Sequence, residues 1–544
     1  MRKTAILRLG IAAAAIMTFA VAVPAGAQQR TPADETDHVK SLIEEAKIRI
    51  AQQPQTPSPA QAATTTGPKI ELTADEAVAR ALERNVTLSQ QRLTPQTFDY
   101  ALAATYAFYR PNVNSTVSTQ SATTLARQTI EGGVRTNSDT AIWNAGIAQN
   151  LRWQGGNYQV NWNNNRIASN QNNNIYNPAY SAGFQAVYVQ PILANRKIDQ
   201  TRTNILTTGI QQDISELDLR ATTASVVALV RNAYWDFVFA TLNLENQRTS
   251  LDLASKLVQD NRARVEIGTM APIDIVQAQA EEATRRQNVV NAEAVLQNAE
   301  LALKQLIVSG TDDALWTSSI NPTDRPTPGE EAIDLEGAVR NALANRTDLL
   351  TAKKNIDAAN VQLRSLSNQT LPSLNLQGTY RLDGRGGTTT PTSNGPPPPP
   401  PTNWFDALGG IGNWEAPTWT VQMQFSYPIG TSVAEANKAR QQVIIRQNLI
   451  AVKATELQIA TDVTAAAINI RNSLEAIKAA TAARELSVKR AEAAQSKLDV
   501  GMATNFEVVQ AQRDLADARN QELREHLAYR RALIDFQRTQ VSPR

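Results

Sequence analysis

The chain has 544 residues, with 53 Lys and Arg against 51 Asp and Glu, and no cysteine. That balance offers no basic footprint for nucleic acid, and the lack of cysteine excludes disulfides, thiolate metal sites and a lipid-modified N-terminal Cys. With only His38 and His526 as histidines, no catalytic constellation, metal site or cofactor is expected.

Residues 1–27 read as a secretory signal peptide. Arg2, Lys3 and Arg8 precede an apolar run from Ile11 to Val23, and Ala25-Gly26-Ala27 supplies the small residues of a cleavage site. The run falls short of the ~20 residues a spanning helix needs. Its removal leaves 50 basic against 51 acidic residues. No later segment has an apolar run of spanning length, so export without a helical anchor is expected. Residues 28–68 read as an N-terminal extension and linker, with a short helix from Asp34 to Gln52 followed by Pro54, Pro57 and Pro59.

Beyond this point the chain reads as two repeats, residues 69–308 and 334–544, joined by a linker at 309–333. Each opens with a helical segment, about 73–108 and 334–370. Ala77-Val78 and Ala81-Leu82 recur as Ala338-Val339 and Ala342-Leu343, and Thr73 with Glu76 forms a capping box. Pro111 and Pro372 end these segments, and Pro95 should kink or interrupt the first one. The period then changes to two, over about 112–191 and 373–428. Trp419, Val421, Met423, Phe425 and Tyr427 alternate with Thr420, Gln422, Gln424 and Ser426. Strands of this kind suit a sandwich, or a membrane barrel with lipid outside and water inside. Asn163 to Asn165, Asn172 to Asn174 and the Gly384 to Thr402 stretch, with its Pro396 to Pro401 run, read as exposed loops. Gln190-Pro191-Ile192 and Tyr427-Pro428-Ile429 are matching exits, so Pro111, Pro191, Pro372 and Pro428 mark the helix–strand junctions. Tyr109, Trp404, Trp414, Trp419 and Tyr427 suit an interfacial belt or ordinary packing between strands and loops.

From Thr431 to Val500 there is no Gly or Pro, and apolar residues from Ile445 to Ile477 recur at threes, fours and sevens with alanine between them. At ~1.5 Å per residue this helix is about 100 Å long. Val500-Gly501-Met502 then forms a turn, and a return helix starts near Asn505. Ile267-Gly268-Thr269 aligns with it without a gap, with Pro272 opening the return helix. Both glycines fit helix C-caps. Asp274 and Glu507 sit six residues beyond them, where an acid stabilises a helix N-terminus. The two shorter helices of a repeat together equal the long one and are expected to stack end to end beside it.

Four to six amphipathic strands cannot close a barrel alone, since known barrels need at least about eight. The duplicated plan, the Gly-x-x-x-x-x-(Asp/Glu)-x-x-Gln-Ala-Gln tips at Gly268 and Gly501, and the two Pro-Ile exits resemble the TolC-like outer-membrane efflux family over roughly residues 70–541. The resemblance implies a mainly α fold with a β-barrel portion. It implies a homotrimer with four strands per protomer in a twelve-stranded outer-membrane barrel, continued by a periplasmic coiled-coil tunnel. The first strand region is longer than that plan requires, and an added extracellular hairpin around Gly155-Gly156 is expected. The implied role is the exit duct of a tripartite efflux or type I secretion system, in contact with outer-membrane lipid and fed by an inner-membrane transporter through a periplasmic adaptor. By motif, Ile267, Gly268, Thr269, Val500, Gly501 and Met502 become adaptor contacts. Asp274 and Glu507, with Gln277 and Gln510 one turn on, become the channel constriction, the two glutamines holding neutral amides where some relatives carry a second acid. The competing readings are an exported structural or adhesive coiled-coil protein and, less well supported, a soluble enzyme.

Overall fold

The structure, a computed structural model, describes residues 69–126, 133–171, 174–325, 333–390, 398–430 and 432–542. The expected signal peptide and the 28–68 extension lie outside the described residues. The described residues form a sheet, two long helical hairpins and a layer where short elements pack on the helices, with elements from both halves of the chain in each.

The sheet has six strands, all antiparallel to their neighbours: β2 (Asn112–Leu125), β3 (Arg135–Asn150), β4 (Asn157–Ser169), β5 (Tyr176–Pro191), β7 (Ser373–Thr389) and β8 (Pro417–Ser426), in that order. Six strands per chain replace the four implied by the family plan, because the first strand region folds into four strands rather than two. The extra pair, β3 and β4, turns at Leu151 to Gly156. This turn is at the helical end of the sheet, not the far end. Asn150 Nδ2 donates to the Phe108 carbonyl, and Arg202 to that of Arg152. Asn163 to Asn165, expected in a loop, lie within β4. Their polarity misleads because alternate residues of this strand serve opposite faces.

Register sorts the two faces. Val117, Trp143, Trp162, Phe184, Tyr380 and Trp419 fall on one, while Asn144, Asn163, Gln185, Arg381 and Thr420 fall on the other. The first residues of the stretch expected as an exposed loop, Gly384 to Thr389, are strand in β7 instead, and a helix, α8 (Trp404–Gly412), packs on the apolar face. Its Trp404 ring lies 6.0 Å from Trp143 and 5.9 Å from Trp162, and its indole N–H donates to Asn164 Oδ1. Gly384 permits this approach, since a Cβ there would stand 1.8 Å from the Ala407 carbonyl oxygen. The outer strands β2 and β8 each pair on one side only. Every residue of β8 is exposed, including Trp419, Val421, Met423 and Phe425.

The helical segment 73–108 is two helices, α1 (Ala74–Arg84) and α2 (Val86–Ala107). The break falls at Asn85, whose side chain caps α2 by accepting from Leu88 N. Pro95 lies inside α2 and does not end it. The equivalent break at Arg346 separates α6 (Leu335–Asn345) from α7 (Thr347–Gln369). The long helices are α3 (Gln200–Glu266) and α9 (Val433–Asp499), each of 67 residues, and their return helices are α4 (Pro272–Ile307) and α10 (Asn505–Thr539). Beside α9, the end of α10 meets the start of α7, with Thr347 N donating to the Val541 carbonyl. The short helices stack end to end.

The stretch 309–333, expected as a linker, is built into the fold instead. It supplies α5 (Ala314–Thr317) and β6 (Ser319–Pro322), the latter parallel to β1 (Lys69–Leu72). These pieces cover a core of Leu72, Val230, Tyr234, Phe237, Leu303 and Ile307. Tyr234 donates to the Leu72 carbonyl, and its burial pushes its pKa up to about 12. At the α6–α7 break Arg346, 2% exposed, binds Asp348 of its own helix, Asp462 of α9 and the Thr539 carbonyl of α10. One guanidinium therefore holds three helices. Arg346→Ala should lower stability by about 1–3 kcal/mol, because it takes the guanidinium away from the half-buried Asp348 and Asp462 and from the Thr539 carbonyl. Arg346→Lys, which keeps the charge but loses the fork, should cost less. Thermal unfolding midpoints of the two variants check the order.

Candidate functional site: the hairpin tips

Both tips are built by the same local chemistry. Gly268 and Gly501 adopt φ of +77° and +74°, the left-handed region that glycine enters without strain. Gly268 N donates to Val265 O and Thr269 N to Arg264 O, while Gly501 N and Met502 N donate to Leu498 O and Lys497 O. This is the bond pair of a Schellman turn. The return helices start differently. Thr504 and Glu507 make a capping box at α10, whereas α4 starts with Pro272 and has no side-chain cap.

The turn side chains point outward. Ile267, Val500 and Met502 are 74%, 70% and 77% exposed, and Ile273 and Phe506 one turn later are also exposed. Six apolar or small residues, Ile267, Gly268, Thr269, Val500, Gly501 and Met502, thus cluster on two adjacent turns. Of the four residues assigned to a constriction, Glu507, Gln277 and Gln510 are exposed and Asp274 is half-buried. The Glu507 carboxylate accepts from the Thr504 hydroxyl at 3.2 Å, and Gln510 donates to Asp514 at 2.8 Å. Asn505, at the start of α10, donates from Nδ2 to the main-chain carbonyl of Asp274 at 3.4 Å and so joins the two return helices. Pro111 and Pro372 directly precede β2 and β7, Pro191 ends β5, and Pro428 follows β8 by two residues. No group of three or more metal-ligating residues occurs among the described residues.

What sequence reasoning missed lies just behind the tips. Glu281 of α4, 4% exposed, accepts from Arg285 Nε at 2.7 Å and from Arg513 Nε of α10 at 2.8 Å. Arg264 of α3 reaches Asp499 at the end of α9 at 3.0 Å. These pairs tie the first hairpin to the second. Burial by itself would raise the Glu281 pKa, but the bonds from Arg513 and Arg285 outweigh it and hold the carboxyl below its ordinary range. Nothing in the spacing singles out Glu281 and Arg513, since their pairing depends on how two hairpins far apart in sequence lie against each other. Asn261 of α3 was also missed. It is fully buried with neither side-chain atom bonded.

On the polar face of the sheet, Asn144, Asn163, Asn165, Gln185, Arg381 and Asp383 line one shallow recess. Arg381 and Asp383 pair there at 2.7 Å. Among the described residues no helix is long and apolar enough to cross a membrane.

Comparisons with known proteins agree with this arrangement. The outer membrane efflux protein family matches residues 338–538. Outer membrane protein TolC of Vibrio cholerae is 25% identical over 302 residues, which cover 55% of this chain and 63% of TolC. The chain thus matches somewhat less than two thirds of that relative's length. Among solved structures, the CmeC outer membrane channel of Campylobacter jejuni has a TM-score of 0.62 at 14% identity, covering 86% of this chain and 85% of its own. The outer membrane protein VceC of Vibrio cholerae has a TM-score of 0.60 at 12% identity, covering 86% and 96%. The fold is therefore that of outer-membrane channels, mainly helical with a sheet at one end. Residues 338–538 thus carry the pattern of the outer membrane efflux protein family, and the described fold is similar to that of outer-membrane channels.

The sign of the Glu281 shift fixes a pH dependence. A carboxyl with a depressed folded-state pKa stabilises the fold above its unfolded value of about 4.3 and loses that contribution as pH falls through the folded-state value. Protection factors of the tip amides, that is, exchange rates corrected for the intrinsic effect of pH, should therefore fall on acidification below pH about 4. In Glu281→Gln exchange should already be faster at neutral pH and change less on the acid side. Equal acid profiles for the two proteins would show that the pairing contributes nothing.

Proposed function

We propose that this chain is the exit duct of a tripartite efflux or type I secretion system, conducting passively what an inner-membrane transporter delivers through a periplasmic adaptor. The observation that carries this reading is the open sheet with one apolar and one polar face. In lipid an unpaired strand edge costs several kcal/mol per backbone group, so only a closed barrel is viable. One chain leaves β2 and β8 unpaired. Three copies joined edge to edge would close eighteen strands from the six each supplies, with the asparagine-rich face lining a water-filled lumen. The helices would continue the lumen as a coiled-coil tunnel. In this reading residues 69–308 and 334–544 are two repeats, and the chain has no catalysis of its own.

The tips then lie at the end remote from the barrel. The exposed turns Ile267 to Thr269 and Val500 to Met502 are the adaptor contacts, and Asp274, Gln277, Glu507 and Gln510 form the constriction. Three-fold symmetry would place rings of carboxylates there, attracting cations and repelling anions. The alternative, an exported structural or adhesive coiled coil, leaves the amphipathic sheet unexplained.

Mass in detergent together with planar-bilayer conductance tests the duct. A trimer with small, cation-selective conductance supports it, whereas a water-soluble monomer without conductance sinks it. In the double variant Asp274→Ala/Glu507→Ala conductance should rise and cation preference fall. Unchanged selectivity would remove these acids from the gate.

A further inference from the structure

Where the helices meet the sheet, a cleft of about 640 Å³ is lined by Arg152, Arg196, Lys197, Arg202 and Arg364, together with Trp153, Ile205 and Leu206. None of its lining residues is acidic. The nearest acid in the contacts here is Asp199, which caps α3 and pairs with Arg202 at 3.6 Å. Arg152, Arg196, Lys197 and Arg364 make no ion pair with any described residue, while Arg152 lies 5.2 Å from the Tyr106 ring centroid. Four cations from three separate segments therefore converge without compensating charge.

The convergence is built rather than incidental. Arg202 spends its donors on the carbonyls of Arg196 and Arg152, at 2.6 and 3.0 Å, and so clamps the two loops that carry the other cations. Gln154, Gly155 and Asn195 all adopt positive φ, and Gln190 donates to the Gln154 carbonyl. A Cβ on Gly155 would stand 2.6 Å from Asn195 O, so the two loops touch backbone to backbone.

Level and lining indicate what enters. The β3–β4 turn and the end of β5 mark the helical boundary of the sheet, and Trp153 and Leu206 beside the cations are 72% and 45% exposed. An aromatic and aliphatic rim around a basic cleft at a membrane boundary is suited to an anionic lipid, with its phosphate among the cations and its acyl chains along the apolar rim. We propose that this cleft binds the phosphate headgroup of an anionic phospholipid in the leaflet nearest the helices, with Arg152, Arg196, Lys197 and Arg364 as its ligands and Arg202 as a positioning residue. The site rests on the outer-membrane location of the proposed duct and is independent of conduction.

The test is native mass spectrometry of the full-length protein in mild detergent with phosphatidylglycerol, phosphatidylethanolamine or sodium phosphate added, together with thermal unfolding under the same conditions. Phosphatidylglycerol should be retained and raise the unfolding temperature, and phosphatidylethanolamine should do neither at equal concentration. Each single variant, Arg364→Ala or Lys197→Ala, should weaken retention about fivefold, the equivalent of about 1 kcal/mol per cation near an anionic lipid. Both residues are exposed, so these variants keep the fold testable where a quadruple variant does not. Equal retention of both lipids, unaltered retention in the variants, or an equal thermal shift with sodium phosphate alone would each overturn the assignment.

Discussion

A helix of 67 residues has nothing to keep it straight except what lies along its side. Isolated helices are marginal in water, and most helical stability in proteins comes from packing. In α9 that packing is a seam of Ile459, Val463, Ala466, Ile470 and Ile477, all buried against neighbouring helices. No single neighbour is long enough to cover it. The end-to-end junction of α10 and α7 is therefore the point on which the rod depends, and Arg346 sits there with Asp348, Asp462 and the Thr539 carbonyl. A buried charge is a costly choice for a joint. It is also a directional one, because a planar fork meets its carboxylates in only a few orientations. An apolar joint would allow the two short helices to slide.

The sheet is subject to the opposite constraint. Its strands are fully paired inside one chain except along two edges, and its apolar face is broad enough to need a cover. Part of that cover comes from the chain itself, as α8 lies across β7 and β5 with Trp404 against Trp143 and Trp162. Asn164 is a polar side chain drawn into that contact, and it is satisfied on both sides, by the Trp404 indole and by the Trp143 carbonyl. The rest of the face, above all on β8, stays exposed. Between sheet and rods, the turns at Gly155 and Asn195 lock backbone against backbone and gather a cluster of positive charge as they do so. The tips are locked in another way, by paired charges such as Glu281 with Arg513. Charge is left uncompensated where the sheet meets the helices and neutralised where the two hairpins meet.

Much of this was legible in the chain. A lack of Gly and Pro over long windows, glycines at both turns and residues in a capping box dictate the hairpins locally, because helix ends must satisfy their own backbone groups from nearby residues. Alternation in β8 was equally plain, since apolar and polar residues alternate one by one from Trp419 to Tyr427. The errors arose where local rules compete with distant contacts. Pro95 lies inside a helix that breaks at Asn85 instead, where a side chain can cap the next helix. Asn163 to Asn165 form strand because cross-strand pairing outweighs their turn propensity. The 309–333 stretch is drawn into a parallel pair with β1, a partner some 250 residues away in the chain.

The sequence by itself determined the long helical hairpins, the alternation of β8 and the matching glycine turns of the two tips, since each follows from spacing within a few turns of chain. Only the tertiary structure decided the number of strands in the sheet, the end at which Gly155-Gly156 turns, and the partners of the buried charges. Glu281 and Arg513 are 232 residues apart, and so are not coupled by any periodicity. Arg152, Arg196 and Arg364 are unremarkable surface residues in their own segments. They form a cleft only because Arg202 and two left-handed turns bring a hairpin loop, a strand exit and a helix to one corner. Local rules fix conformation, whereas the convergence of charge depends on which surfaces the packed helices and strands bring face to face.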